Sequence, residues 1–216
     1  LVRRSNGEPQ FVVVTMVDVT DRRRVEEDLV RRAQHDALTG LPNRRALTER
    51  RQRALAVSRR RGTSVGLLHL DLDRFTAVND SLGHEGGDQL LCQVADRLRW
   101  STRVEDTAVR FGADEFLVLA EDVEDVDALR TLADRLLSVL DAPFHVGDRE
   151  ITLSASVGLT LGSDMTPDDL LRQAQSALNR AKVDGSRARV EVHEGVLSDS
   201  DVDALQLEVD LRHALD

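Results

Sequence analysis

The sequence predicts an α+β fold in which a mainly antiparallel central sheet is surrounded by helices. From residue 36 onward, segments with helical periodicity alternate with short apolar or β-branched runs. Two connections between predicted strands are tight turns, at residues 111–114 and at Gly147–Asp148, and such turns join antiparallel neighbours. Because aromatic residues make up only 3% of the chain, we expect a core of leucine, valine and alanine.

The N-terminal segment predicts a strand followed by a helix. Residues 7–19 begin with a Gly-Glu-Pro turn and continue as a β-branched run. No partner strand is predicted before them, so we expect the last strand of a domain that lies mostly upstream. In residues 21–34, which Thr20 is placed to cap, apolar side chains recur every four residues. Such a narrow stripe favours a helix that pairs with a copy of itself, and a solvated linker helix is the alternative.

The elements predicted after residue 40 alternate between helices and strands. Helical periodicity with an apolar face occurs at residues 43–60, 84–100, about 125–140 and about 167–184. Strands are expected at residues 64–72, on both sides of the turn at 111–114, and at residues 144–147, 151–161 and 187–194. Pro167 is expected to begin the last of these helices and Gly185 to end it. Residues 198–216 predict a separate acidic amphipathic helix.

Composition and charge limit the functions that this chain can have. The net charge of −10 argues against a surface that coats nucleic acid, because such binding depends on lysine and arginine. Cys92 is the only cysteine, so no intrachain disulfide can form and a reducing compartment is expected. The sequence has no apolar run near the roughly 20 residues that span a bilayer, and no signal-peptide pattern. We therefore expect a cytoplasmic segment without direct membrane contact, although a longer parent chain could carry an anchor.

Two pairs of acidic residues lie close to the ends of predicted strands. Asp71 and Asp73 are at the end of the buried run, and Asp114 and Glu115 are in the turn before the next long strand. If the strands bring these acids together, their oxygens suit Mg²⁺, which takes one or two protein carboxylates and completes its shell with water and substrate phosphates. The alternatives are solvated acids at a strand end and ordinary turn chemistry.

Several stretches of sequence occur in an order that points to one family. They are "DALTGLPNRR" (36–45), "DLDRFTAVNDSLGHEGGDQLL" (71–91), "RFGADEF" (110–116), "SVGLT" (156–160) and "AQSALNRAK" (174–182). In turn they resemble the opening motif, the metal and guanine segment, the signature, and the closing strand and helix of the GGDEF domain, the diguanylate cyclase family. The resemblance covers residues 36 to about 192 and implies a nucleotidyl-cyclase-like fold with a ferredoxin-like βαββαβ core.

The resemblance implies a metal site at the two pairs of acids. By position, Asp71 and Asp114 would bind two Mg²⁺ (or Mn²⁺) ions together with the backbone carbonyl of Leu72. Asp114 and Glu115 would be the catalytic acids, with Glu115 supporting the metal site beside its neighbour.

The resemblance also implies a substrate site. Asn79 and Asp88 would recognise guanine, because an amide and a carboxylate match the ring NH, the exocyclic amine and the carbonyl of guanine, which adenine does not reproduce. Phe75 and Lys182 would contribute to substrate binding, the lysine as a point charge on the triphosphate.

The implied reaction condenses two GTP molecules into cyclic di-GMP and pyrophosphate. The 3′-hydroxyl of one GTP attacks the α-phosphate of the other, with metal lowering the pKa of the hydroxyl and stabilising the leaving pyrophosphate. Two GTP molecules must meet face to face, so the family works as a homodimer with half a site on each subunit. The helix at 20–35 would then control whether the two halves meet.

An inhibitory product site is implied by "RVED", in which Arg103 and Asp106 precede the signature at the offset typical of the family. An arginine can bind phosphate or guanine in a bidentate way, and a carboxylate can accept from guanine NH groups. The pair is therefore expected to bind cyclic di-GMP; an ion pair at a helix end is the alternative.

Three positions depart from the family pattern. Ala113 replaces the second glycine of the signature, where glycine allows close approach of the nucleotide and a φ that is unfavourable for other residues. Thr76 stands in place of a common lysine, and Ser186 in place of an arginine that contacts phosphate. The loss of these cations is expected to weaken triphosphate binding.

The resemblances at both ends suggest neighbouring domains. Residues 1–19 resemble the end of a PAS sensory domain, 20–35 its exit helix, and 195–216 a linker helix with the start of an EAL phosphodiesterase domain; 36–194 are the GGDEF segment. The expected function is a product-inhibited diguanylate cyclase. The alternatives are a degenerate GTP-binding module that regulates an attached EAL phosphodiesterase, and a receptor that only binds cyclic di-GMP.

Overall fold

The computed structural model describes residues 2–3, 9–11, 18, 33–183 and 190–192, and the chain divides into two compact units, 1–34 and 35–216. In the first unit, strand β1 (Val2–Arg3) pairs antiparallel with strand β2 (Pro9–Phe11). The expectation that no partner strand precedes residue 7 is therefore wrong. Ala33 and Gln34 are helical, but the rest of the predicted helix at 21–34 and the whole of 198–216 lie outside the described residues.

The second unit contains a five-stranded sheet. Its strands are β3 (Ser64–Leu72), β4 (Thr107–Arg110), β5 (Glu115–Val123), β8 (Ala155–Gly162) and β9 (Val190–Val192). They lie in the order β4-β5-β3-β8-β9, and all neighbours are antiparallel except β8 and β9, which are parallel. The expected mainly antiparallel sheet is thus confirmed.

Four helices of this unit follow from their caps and apolar faces. They are α1 (Arg44–Arg61), α2 (Phe75–Ser101), α3 (Val126–Asp141) and α4 (Pro167–Val183). Asn43 caps α1 by accepting from two backbone N–H groups, and Asp125 caps α3 by accepting from one, so each helix begins where a side chain satisfies its first donors. Among the helices of the described residues, none combines the length and apolarity needed to cross a membrane.

Helix α2 differs from the helix predicted at 84–100 because it begins at Phe75 and is interrupted at Gly83. The backbone of Gly83 has φ 74° and ψ 168°, so one helical segment ends there and a second begins. The first segment was missed because it is little more than two turns long and its apolar positions are few. Gly83 supplies the positive φ that this change of direction requires.

The strand predicted at 151–161 is two strands in two different sheets. Strand β7 (Arg149–Ile151) pairs with β6 (Phe144–Val146) across the predicted turn at Gly147, whereas β8 pairs with β3. Between β7 and β8 the chain leaves the β6–β7 hairpin, and the carbonyl of Ser154 accepts from the N–H of Asp73. The apolar pattern continues through this switch, so periodicity alone predicts one strand.

The sheet carries apolar side chains on both faces. One face packs against α2 and α3, and the other packs against α1 and α4. Strand β3 is buried on both sides, which explains why its sequence is a nearly continuous apolar run and not an alternating one. Asp71 therefore lies near the end of a strand that helices cover on both faces. The largest fully buried side chains are those of Phe116, Phe144 and many leucines, as the composition predicts.

Candidate functional site

The antiparallel register of β3 and β5 brings the predicted acids together. Asp71 and Glu115 are directly opposite partners, and the N–H of Leu72 donates to the carbonyl of Asp114 at 3.2 Å. Burial raises the pKa of Asp71, and the charges of Asp114 and Asp73 raise it further, while Lys182 acts in the opposite direction. Burial, followed by the charges of Asp71 and Asp114, likewise raises the pKa of Glu115. The acids therefore lie close enough to repel one another.

Asp73 has a structural contact that separates it from this group. Its carboxylate accepts from the hydroxyls of Ser154 at 2.7 Å and Ser156 at 2.9 Å, and its own N–H donates to the Ser154 carbonyl at 2.9 Å. Asp73 thus ties the end of β3 to the start of β8. Of the two acids at the end of β3, Asp71 is the one left facing Glu115.

Lys182 reaches the acids from helix α4. Its Nζ lies 2.7 Å from Oδ2 of Asp71, whose side chain is only 13% exposed. The predicted triphosphate contact and the predicted metal ligand are therefore ion-paired with each other. A bound triphosphate would compete with Asp71 for this ammonium group.

The donor set fits Mg²⁺ completed by substrate oxygens. Across the described part of the chain, no group of three or more histidine, cysteine or acidic side chains is arranged to hold a metal ion. Mg²⁺ does not need such a group, because it binds through one or two carboxylates plus substrate phosphates and water. The raised pKa values of Asp71 and Glu115 indicate that the site accommodates additional positive charge.

The start of α2 offers backbone donors beside the acids. Arg74, at its N-cap, has a left-handed backbone (φ 59°) and makes no side-chain capping bond. The first N–H groups of a helix have no intrahelical partner and attract anions. The Phe75 side chain is buried in the core and only 6% exposed, so any contribution of Phe75 to substrate binding would come from its backbone.

The two predicted guanine contacts lie on either side of the break at Gly83. A Cβ placed on Gly87 would be 1.9 Å from Oδ1 of Asn79, so the Asn79 side chain lies against the backbone next to Asp88. Asp88 is exposed and Asn79 is half-buried. Because of the break in α2, the Asn79 amide lies beside the backbone that carries Asp88, although the two residues are nine positions apart in the sequence.

The signature turn is held by backbone bonds and by close packing at Gly112. The N–H groups of Phe111 and Gly112 donate to the Glu115 carbonyl at 2.9 and 3.2 Å. A Cβ on Gly112 would be 2.6 Å from Oε2 of Glu115, so this glycine is needed for the observed position of the carboxylate. Ala113 is exposed, and among the non-glycine residues that the structure describes only Arg74 and Asp122 have positive φ. The backbone reason for a glycine at position 113 therefore does not apply here.

Arg110 connects the signature turn to the opening motif, a contact that the sequence analysis missed. Its Nη1 donates to Oδ1 of Asp36 at 2.9 Å, and its Nη2 donates to the carbonyl of Ala113 at 3.0 Å. Asp36 also accepts from the N–H and hydroxyl of Thr39. Burial acts to raise the pKa of Asp36, but the hydrogen bonds from Thr39 and Arg110 outweigh it, so the pKa lies below its ordinary value of 3.8. Both residues lie in quoted motifs, but only the fold pairs them.

His69 is a second residue of the site that the sequence did not indicate. It lies on β3 two positions before Asp71, has no exposed surface, and its Nε2 is 3.5 Å from Oε1 of Glu115. Burial, and then the positive charge of Lys182, lowers the pKa of His69 to about 4, so its imidazole is neutral near pH 7. Its position in an apolar run is the signal that could have found it.

The predicted product site lies elsewhere, beside the outer part of β5. Arg103 and Asp106 line a cavity of about 230 Å³ together with Glu121 and Arg135. The Asp106 carboxylate accepts from the N–H groups of Arg103 and Glu121, both at 3.3 Å. Burial raises the pKa of Asp106 although these bonds oppose it. Arg135, which the sequence did not indicate, adds a second guanidinium to this cavity.

Comparison with known proteins identifies the family. Residues 33–188 match the family described as "Diguanylate cyclase, GGDEF domain". The chain is 39% identical over 204 residues to the bifunctional diguanylate cyclase/cyclic di-GMP phosphodiesterase MucR of Pseudomonas aeruginosa, covering 94% of this chain and 30% of MucR. It is 37% identical over 210 residues to the cyclic di-GMP phosphodiesterase PdeR of Escherichia coli, covering 95% of this chain and 31% of PdeR. The chain thus spans less than a third of the length of either relative.

The fold comparison agrees with the family assignment. The crystal structure of the coiled coil and GGDEF domain of DgcB from Caulobacter crescentus, in complex with c-di-GMP, superposes with a TM-score of 0.74. The two are 26% identical, and the match covers 81% of this chain and 93% of that one. With the nucleotidyl-cyclase-like fold and the family match in agreement, this chain belongs to the diguanylate cyclase GGDEF domain family.

Proposed function

We propose that this chain contains a Mg²⁺-dependent diguanylate cyclase domain that converts two GTP molecules into cyclic di-GMP and pyrophosphate. The observation that carries the proposal is the convergence of Asp71, Asp114 and Glu115 with Lys182 at the end of two paired strands. The raised pKa values of Asp71 and Glu115 beside a lysine suit a metal-bound triphosphate better than they suit a purely structural role. Membership of the family, and the name of MucR, support the same reaction.

In this proposal Asp71 and Asp114, with the Leu72 carbonyl, hold the metal. Mg²⁺ or Mn²⁺ bound there would lower the pKa of the attacking 3′-hydroxyl and stabilise charge on the phosphates. Glu115 supports the site from the opposite strand, where Gly112 leaves room for its carboxylate.

Substrate binding is proposed to use three parts of the fold. Asn79 and Asp88 accept from the guanine NH groups, and the Asn79 amide donates to its carbonyl. The backbone of Phe75 at the start of α2 directs N–H groups towards the phosphates. Lys182 exchanges its bond with Asp71 for one with the triphosphate, so the ammonium group keeps a partner in both states.

The proposed reaction requires two GTP molecules and therefore two copies of the domain. We propose a homodimer that the helix at 20–35 holds together, with a PAS domain before it and an EAL domain after residue 195 in the same chain. Arg103 and Asp106, with their cavity beside β5, are proposed to bind cyclic di-GMP and to limit its synthesis. The bound c-di-GMP in DgcB supports a ligand of this kind.

A second candidate function is a GTP-binding module that regulates an attached phosphodiesterase. Ala113, Thr76 and Ser186 favour it, because each replaces a residue that the family pattern places near the triphosphate. The similarity to PdeR, which is named a phosphodiesterase, favours it as well.

Incubation of the purified chain with GTP and Mg²⁺, followed by chromatography of the nucleotides, separates the two candidates. We expect cyclic di-GMP from the native chain and none from Asp114→Asn. Asp164→Asn is the matched control, because Asp164 is an exposed acid before α4 whose contact is with Arg59. GTP binding without product would support the regulatory module, and the absence of both would refute both candidates.

The proposed product site has its own test. Calorimetric titration with cyclic di-GMP should give at least about tenfold weaker binding to Arg103→Ala than to the native chain, since a charged bidentate contact is lost. Arg130→Ala, a cation on α3 outside the cavity lining, is the control. Equal affinities for all three proteins would remove Arg103 from the site.

A further inference from the structure

A buried histidine in the middle of β3 has no hydrogen-bond partner. His69 stands in register between Leu117 of β5 and Gly158 of β8, and its side chain has no exposed surface. Neither Nδ1 nor Nε2 makes a hydrogen bond. Most buried polar side-chain atoms have a partner, and an unmade bond in a core is destabilising. An apolar residue would suit this position better for stability, so the imidazole calls for another explanation.

The surroundings of His69 point its ring at one acid of the site. Nε2 lies 3.5 Å from Oε1 of Glu115. The imidazole also packs edge-on against Phe111, with ring centroids 5.5 Å apart and an interplanar angle of 77°. The guanidinium of Arg44 lies over the same Phe111 ring at 4.7 Å. The ring is therefore held in place by an aromatic side chain that is itself fixed by a cation.

The Glu115 carboxylate is confined between two parts of the fold. Its Oε2 lies where a Cβ on Gly112 would be only 2.6 Å away, and its Oε1 faces His69. One oxygen is thus set by the signature turn and the other by the imidazole. A carboxylate that is 30% exposed would otherwise have several rotamers open towards solvent.

We propose that His69 is a positioning residue that holds Glu115 for the cyclase reaction. In the substrate complex the Nε2–H of the imidazole donates to Oε1 of Glu115 and so fixes the carboxylate beside Asp71 and Asp114. The separation of 3.5 Å is long, as is common for such bonds before substrate binds, and it shortens in the substrate complex. This inference rests on the proposed function, because the role of Glu115 in catalysis is part of that proposal.

The first test compares His69→Leu with His69→Gln. We expect His69→Leu to lower turnover at saturating GTP by at least about tenfold, while binding of 3′-deoxy-GTP with Mg²⁺ changes by less than about twofold. The midpoint of thermal unfolding should stay equal or rise, because two unpartnered ring nitrogens are removed. His69→Gln, which retains an N–H donor, should recover most of the turnover. His145→Gln, a change at an exposed histidine of β6, is the control and should behave as the native chain.

A merely structural role gives the opposite pattern. If His69 only fills the core, His69→Leu keeps full turnover, or loses turnover and thermal stability together without recovery in His69→Gln; either result overturns the proposal. In a Glu115→Gln background, His69→Leu should cause no further loss. Additive losses would show that the two residues act separately.

A third measurement does not depend on turnover. The ¹⁵N chemical shifts of the His69 ring should report the tautomer protonated at Nε2 in the native chain, and they should change in Glu115→Gln but not in Asp164→Asn. Ring shifts that do not respond to Glu115→Gln would refute the contact. If the native chain makes no cyclic di-GMP, the proposed function fails while this measurement still decides whether His69 holds Glu115.

Discussion

At the scale of single residues, charge at the end of β3 is only partly compensated. Lys182 lies 2.7 Å from Asp71, yet burial and neighbouring carboxylates still raise the pKa of Asp71 and of Glu115. Such a cluster favours the binding of a cation, which the proposed Mg²⁺ would supply. Arg110, which precedes the turn, donates hydrogen bonds to Asp36 and to the Ala113 carbonyl.

Replacing Ala113 with glycine tests whether its methyl group limits activity. Position 113 is exposed and has no positive φ, so the alanine causes no backbone strain and acts only through its methyl group. We expect Ala113→Gly to raise kcat/KM for cyclic di-GMP synthesis several-fold, measured from initial rates. Its free energy of unfolding should fall by about 0.4–1 kcal/mol, because glycine is more flexible in the unfolded chain. Ala142→Gly, at another exposed position with ordinary φ (−64°), should lose similar stability without a gain in rate. An unchanged rate in Ala113→Gly would show that the methyl group does not limit activity.

The Asp36–Arg110 pair predicts a pH-dependent loss of stability. Because the folded-state pKa of Asp36 lies below its ordinary 3.8, its contribution is complete above about pH 3.8 and is lost as the pH falls through the lower folded value. Asp36→Asn should therefore reduce the free energy of unfolding by about 1–2 kcal/mol at pH 7, and by much less near pH 3, in urea titrations. Asp96→Asn, which removes an exposed pair with Arg99, should change it by less than about 0.5 kcal/mol. A constant difference at both pH values would contradict the assignment.

At the scale of elements, the break in α2 does what a continuous helix could not. Residues 79 and 88, nine positions apart on a straight helix, would be separated by about 13 Å along its axis. The interruption at Gly83 instead places the Asn79 side chain against Gly87. The proposed guanine contacts therefore depend on one glycine with a positive φ.

Gly83→Ala should weaken guanine recognition as well as stability. Gly83 and Gly62 both have φ above 70° and open space where a Cβ would be, so each alanine substitution should cost about 1–3 kcal/mol of unfolding free energy. Only Gly83→Ala should also weaken GTP binding, by about tenfold in calorimetry, because it shifts Asn79 relative to Asp88. Gly62 ends α1, away from these residues, and Gly62→Ala is the matched control. Equal GTP affinities for the two variants would show that the break does not set the site.

At the scale of the whole molecule, the five-stranded sheet fixes the proposed metal residues while the substrate residues come from the surrounding helices. The acids lie on β3 and β5 and in the turn before β5, Lys182 comes from α4, and Asn79 and Asp88 come from α2. One copy presents one such set, whereas the proposed reaction joins two GTP molecules. The arrangement therefore predicts that catalysis requires a second copy.

Dimer dependence can be measured by mixing. Specific activity should rise with protein concentration until the dimer observed by sedimentation is saturated. An excess of Asp114→Asn should suppress the activity of the native chain, because mixed dimers contain one defective half, whereas an excess of Asp164→Asn should not. Activity that is independent of concentration and unaffected by the inactive variant would rule out a shared site.

The sequence predicted those features that depend on local pattern. Residue types at fixed spacing predict the apolar run of β3, the turn at 111–114 and the acids beside them. The resemblance of motifs predicted the family, which the comparisons confirmed. The bounds of α1, α3 and α4 agree within a residue or so with those predicted, because the helical periodicity that predicts them is a local signal.

The tertiary structure decided which residues meet. Three contacts join segments far apart in the sequence: the pairing of β8 with β3, the Asp36–Arg110 pair and the contact between His69 and Glu115. Periodicity records which face of an element is apolar, but not which partner covers it or which side chain lies opposite. The sequence by itself determined the identity and order of the acids. The register of β3 on β5 determined that Asp71, Glu115 and the buried His69 lie at one site, because strand pairing is fixed by long-range packing.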